Sequence, residues 1–175
     1  RVYLKEDTVQ QELDAIIEAS TELRRPVPKT SVIVTHAGHP KSKLHRKKLA
    51  NGDVVGARFI FHVASVSVSQ LRKNQIEPVK APDEIIACVR NALDQVLDVD
   101  AAQGLTIPTG RPFLRSNGDV SANESYQAIK SIILPLFGAG RGGNHASFVI
   151  PHMIRGIQNF LLDNQTNTDL KLEDI

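Results

Sequence analysis

Residues Ser131–Asn144, reading SIILPLFGAGRGGN, constrain this chain more than any other stretch. Ile132, Ile133, Leu134 and Leu136 form a short apolar run that reads as a buried strand over about 130–136. The run stops at four glycines and one arginine between Gly138 and Gly143, and an amphipathic stretch follows. Strand, glycine-rich turn and helix in that order present backbone N–H groups to an anion, because the first turn of a helix leaves its amides unpaired and its dipole positive. Glycine also admits positive φ and lets a ligand approach the main chain without meeting a Cβ. Arg141 brings a fixed charge with planar donors to the same turn. The plainer alternative is a structural strand-to-helix connection, which needs one or two glycines rather than four. Four favour a phosphate site.

The 175 residues suffice for one domain with a real core, and the 41% apolar content fits a globular chain. No run approaches the roughly eighteen apolar residues of a membrane span, and Arg1–Asp7 lacks the charged-then-apolar order of a secretory signal. Cys88 is the single cysteine, which leaves no intrachain disulfide and no cysteine-built zinc cluster. The simplest expectation is an intracellular, cytoplasmic protein with no membrane partner. A formal charge of +2 is too small to imply nucleic acid.

The positive charge is unevenly placed. Lys41, Lys43, Arg46, Lys47 and Lys48 cluster near His36, His39 and His45. The cluster reads first as a solvated surface and second as a rim that attracts phosphate. The histidines do not read as a metal site: no carboxylate or cysteine is interspersed, and Pro40 breaks the helical spacing that would align the rings. No cofactor is implied.

Along the chain, helical and extended patterns alternate. Thr8 and Gln11 have the spacing of a capping box, and Val9, Leu13, Ile16 and Ile17 repeat at helical period, predicting a helix over 8–20 that Pro26 and Pro28 close off. Ser31–Thr35 and Arg58–Ala64 are short, β-branched or aromatic, and read as strands. A second helix opens at Pro82, with Asp83 and Glu84 favoured by its dipole, and buries Ile85, Ile86, Val89, Leu93, Val96 and Leu97. Residues 98–129 lose periodicity and read as a long irregular connection. Ile150, Met153, Ile154, Ile157 and Leu161 predict the buried stripe of a third helix, with Pro151 in its first turn. Leu170–Ile175 reads as the start of a last strand. This alternation predicts one α/β domain over 1–175, with a largely parallel or mixed sheet between helices. Ligands of such sheets gather at the carboxyl ends of the strands, where the glycine turn falls.

Four pieces in order resemble the macro domain family. Ser131–Gly140 with Gly142 and Gly143 is similar to its second ligand loop, an apolar strand with proline leading into a G-x-G turn. Ser31–Thr35 resembles the family's strand ending in threonine, and Phe59–Ala64 its next strand carrying a histidine. Asn91–Leu93 resembles a triplet on the following helix. The resemblance spans roughly 9–175 apart from the 98–129 connection. It implies a layered macro-domain-like fold that binds ADP-ribose, its conjugates or a related NAD-derived nucleotide. The diphosphate and distal ribose would lie on Gly138, Ala139, Gly140, Arg141, Gly142 and Gly143, with Asn144 beside them. The family's opening strands have no counterpart, as though the chain began after them. Gly142 stands where many members carry an aromatic residue, and the connection before Lys130 is longer than is typical of the family.

Other reactive side chains lack a catalytic setting. His62, flanked by Phe61 and Val63, reads as a core histidine holding a backbone group. His145 and Asn144 are placed to meet a ligand, and Asn144 equally to cap a helix. Cys88 reads as buried and inert, while Asp119 and Glu124 are candidate bases with nothing to fix their geometry. Three readings follow. The chain is a recognition module within a longer protein, a hydrolase of ADP-ribose conjugates, or an interaction domain with a degenerate pocket. The first is favoured because no positioned base or nucleophile is legible.

Overall fold

Local pattern and long-range contact divide the work of building this mixed α/β chain. The computed structural model describes residues 9–19, 27–37, 47–48, 50, 54–57, 59–69, 75–104, 129–140, 143–167 and 170–175. The first helix, α1, runs from Val9 to Ala19, inside the predicted span, while Thr8 lies outside the described residues. The first predicted strand is β1, Val32–His36. Two short strands, β2 (Lys47–Lys48) and β3 (Val54–Val55), precede β4, Phe59–Val63, the second predicted strand. A hairpin of β5 (Val66–Ser69) and β6 (Gln75–Pro78) leads into the second helix, α2, Pro82–Gly104. The third helix, α3, is Ala146–Asp163.

The three described sheets are two-stranded and antiparallel, pairing β1 with β4, β2 with β3 and β5 with β6. Parallel pairing, expected to dominate, occurs among the described residues as an isolated bridge between Ser131 and Asp174. The reason is connectivity. Parallel neighbours need a crossover, usually helical, and the described part of the path from β1 to β4 carries the β2–β3 pair instead. In the β1–β4 register Ile33 faces His62 and Thr35 faces Ile60, so these four share one face. Ile33 and Thr35 are buried there, and Phe61 and Val63 lie on the opposite face.

The residues predicted as a strand over 130–136 are extended but barely paired. Lys130 O accepts from Glu173 N (2.7 Å) and Asp174 N (3.1 Å), and Ile132 N donates to Asp174 O (3.1 Å). The start of the predicted last strand is thus the partner of this segment. Side chains alternate as in a strand: Ile132 and Leu134 pack on the core, while Ile133 is 95% exposed. The segment is half-buried rather than fully buried.

The predicted irregular connection begins later than position 98. Helix α2 continues to Gly104 because its apolar face runs on through Val96 to the fully buried Val99. Residues 105–128 of the connection lie outside the described residues.

Helix α3 is rotated relative to its predicted stripe. Val149, Met153, Gly156 and Phe160 face inward, whereas Ile150, Ile154 and Leu161 are 43%, 49% and 42% exposed. Both sets have helical spacing; the inner one contains a glycine that apolar counting ignores. The helix also starts earlier than predicted, so Pro151 sits in its interior rather than its first turn. The main core lies where α2 meets α3: Ile85, Cys88, Val89 and Leu93 pack with Val149, Met153 and Phe160, and Val79 and Phe137 close the end nearest the glycine turn.

Candidate functional site

The extended segment ends at Phe137, whose buried ring holds the start of the glycine turn in the core. The turn then closes on itself. Ala139 N donates to Leu136 O (3.2 Å), Gly143 N to Gly140 O (3.0 Å) and Asn144 N to Gly138 O (3.2 Å). Gly138, Gly140 and Gly143 take φ of 78°, 63° and 76°, the left-handed region that L side chains rarely adopt.

Two kinds of glycine share this turn. A Cβ on Gly138 would stand 2.7 Å from Asn144 Nδ2 and 2.8 Å from Val79 Cγ2, so Gly138 serves packing. A Cβ on Gly140 or Gly143 would meet nothing within 4 Å, so these two border open space. Arg141 and Gly142 lie outside the described residues. Ala139 is partly buried against the core.

The residues after the glycines have distinct roles. Asn144 Nδ2 donates to Val79 O at 2.7 Å. His145 is the N-cap of α3: its extended backbone precedes the helix, and Nδ1 accepts from Ser147 N at 3.3 Å, with Ser147 Oγ 2.8 Å away. Its carbonyl accepts from Phe148 N and Val149 N. The capping role weighed for Asn144 therefore belongs to His145. An 18-residue helix starts immediately behind the turn, with its positive end there.

A cleft of about 310 Å³ lies directly against Gly138 and Ala139. Phe61, Val63, Ser65 and Val66 form one wall, and Pro135–Ala139 the other. The walls present polar and apolar surface in near-equal measure, with Ser65 the hydroxyl among side chains that are otherwise apolar. His62 lies on the other face of β4, where its Nε2 is 2.9 Å from Thr35 Oγ1. Its position is half-buried where a core one was expected, and the Thr35 hydroxyl beside it is buried.

Two further contacts shape this end of the sheet. Thr30 adopts φ of 67° and is held by Asn91, whose Nδ2 donates to Thr30 O at 2.9 Å. Thr30 N donates to Ala64 O, and Ala64 N to Ser31 O, joining this bend to the strand end beside the cleft. Asn91 was singled out by sequence; Thr30, Ser65 and Val79 carried no signal, since each matters through a neighbour distant in the chain. Cys88 is fully buried, and its thiol is pushed up to about 11, first by burial and then by the charge of Glu84. Asp119 and Glu124 lie outside the described residues. So do Lys41, Lys43, Arg46, His39 and His45, while Lys47 and Lys48 form β2.

Among the described residues there is no group of three or more His, Cys, Asp or Glu side chains arranged to hold a metal ion. None of their helices is long and apolar enough to cross a membrane. No protein-family model, curated protein or solved structure matches this chain.

Proposed function

We propose that this chain binds ADP-ribose or a related NAD-derived nucleotide as a macro-domain-like recognition module of a larger protein. The observation that carries the reading is the pair of positive-φ glycines, Gly140 and Gly143, bordering open space just ahead of the α3 N-terminus. Such a turn lets phosphate oxygens approach the backbone, and the helix dipole favours their charge. The adjoining cleft supports the same reading, because its mixed polar and apolar surface suits a sugar or planar group while the charged part stays at the turn. The preference for recognition over catalysis is supported by two placements: His62 lies on the face of β4 away from the cleft, and Cys88 is buried.

Calorimetric titration with ADP-ribose, AMP and NAD tests the proposal, with Gly140→Val as the control. Valine there penalises positive φ and fills the open volume, so binding is lost while the fold survives a cost of about 1–2 kcal/mol. Equal ADP-ribose affinity in both folded proteins refutes the site. Steady multiple turnover of an ADP-ribosylated protein, lost on altering the turn, would replace recognition with hydrolysis.

A further inference from the structure

We propose that Asn144 is a positioning residue that holds the glycine turn against a rigid anchor at Val79, and so sets ligand affinity without touching the ligand. This rests on the nucleotide-binding reading above. Val79 opens the three-residue passage from β6 into α2, and it touches both walls of the cleft. Its N–H donates to Ser65 O at 2.9 Å on one side. Its carbonyl accepts from Asn144 Nδ2 at 2.7 Å on the other, and its Cγ2 lies against Gly138. One fully buried residue therefore spaces the two walls.

The anchor is itself immobilised. Glu84 Oε2 accepts from Lys80 N (2.8 Å) and Ala81 N (3.2 Å), and Lys29 Nζ reaches Pro78 O at 3.4 Å. Asn144 transmits that rigidity to the turn through two bonds. Its main-chain N–H closes the turn on Gly138 O, and its amide ties the closed turn to Val79. The tie uses one of the two N–H groups of that amide, and the proposed action of Asn144 on a phosphate runs through the backbone it holds. Glycine at positive φ adds little stiffness of its own, so this tie adds to the turn's internal hydrogen bonds in holding its backbone in place before a ligand arrives.

The test uses the full chain with Asn144→Ala, which removes the tie, and Asn144→Asp, which sets a carboxylate oxygen against the Val79 carbonyl. Affinity for ADP-ribose should fall by roughly three- to tenfold for alanine, the worth of one hydrogen bond, and further for aspartate. Amide hydrogen exchange at Ala139 and Gly143 in the unliganded protein should quicken in both variants. A purely structural role would lower the unfolding midpoint yet leave turn exchange and the affinity of folded protein unchanged, and that result overturns the proposal. If the wild type binds no ADP-ribose, the nucleotide reading fails, and the exchange measurement alone decides whether Asn144 positions the turn. Should Asn144→Asp not fold, Asn144→Ser, whose shorter hydroxyl falls short of Val79 O, is read in the same way.

Discussion

Gly156 of α3 rides directly on Val89 of α2: the Cβ that Gly156 lacks would stand 3.0 Å from Val89 Cβ and 3.2 Å from Ile86 O. Both neighbours are fixed to the α2 backbone, so a side chain here must push the helices apart. Replacing Gly156 with alanine trades a helix-propensity gain of about 1 kcal/mol against that displacement. Gly156→Leu has no such balance and should destabilise by about 2–3 kcal/mol, the upper part of the overpacking range. Urea denaturation measures it; a leucine variant as stable as the wild type would show that the helices are not in close contact.

The two kinds of glycine in the turn should separate experimentally. Gly138→Ala meets Asn144 and Val79 as well as positive φ, and should cost about 2–4 kcal/mol. Gly140→Ala meets open space and should cost about 1 kcal/mol, from φ alone. Thermal unfolding of the two variants side by side gives the comparison, and equal losses would contradict the packing of Gly138.

Glu84 links stability to pH. Its carboxyl is held below its ordinary value of 4.5, first by the Lys80 backbone N–H, against an opposing cost of burial, and then by Lys29 and the Ala81 N–H. A carboxylate with a lowered folded pKa contributes stability that is fully present above the unfolded value and is lost as pH falls through the folded one. Glu84→Gln should therefore be less stable than the wild type at pH 7, with the gap closing in acid below the ordinary glutamate range. Denaturation curves across pH 2–7 test this, and a gap that persists unchanged at the acid end would rule the linkage out.

Cys88 should not react with thiol reagents in the native protein. Its thiol is fully buried and titrates near 11, so little thiolate exists at neutral pH and none of it is exposed. Alkylation should follow the rate of unfolding and accelerate sharply in denaturant. Rapid labelling under native conditions would show that the α2–α3 core opens locally.

Charge should act differently at the turn and at the basic cluster. If Arg141 contacts phosphate directly, Arg141→Ala weakens ADP-ribose binding by about 1.5–3 kcal/mol. Neutralising Lys47 and Lys48, read from the sequence as part of a solvated basic rim, should cause a small loss that fades with salt, because solvated charges are screened beyond about 8–10 Å. Titrations at two ionic strengths distinguish the cases. Dominance of the lysines, with polynucleotide preferred over ADP-ribose, would point to a nucleic-acid-binding surface.

Much of the framework was legible because it is local. Apolar spacing predicted α1, α3 and the body of α2, Pro82 with Asp83 and Glu84 predicted where α2 starts, and β-branched or aromatic runs predicted β1 and β4 to within a residue. The positive φ of Gly138, Gly140 and Gly143 was equally legible, since glycine is the residue that adopts it without steric cost. The single buried thiol followed from its place beside Val89 on an apolar helix face.

What the sequence alone determined is thus a set of backbone states and the apolar surface each carries. Which face finds a partner was decided only in three dimensions. Helix α3 turned Val149, Met153 and Phe160 inward because Gly156 lets it approach α2 most closely on that side, and a missing side chain leaves no hydrophobic signal. The segment after Lys130 kept strand-like alternation yet gained a single bridge, because pairing needs a neighbouring strand and its own residues do not specify one. The tie from Asn144 to Val79 spans 65 residues, and a hydrogen bond of that reach exists only once α2, α3 and the turn between core and cleft have packed together.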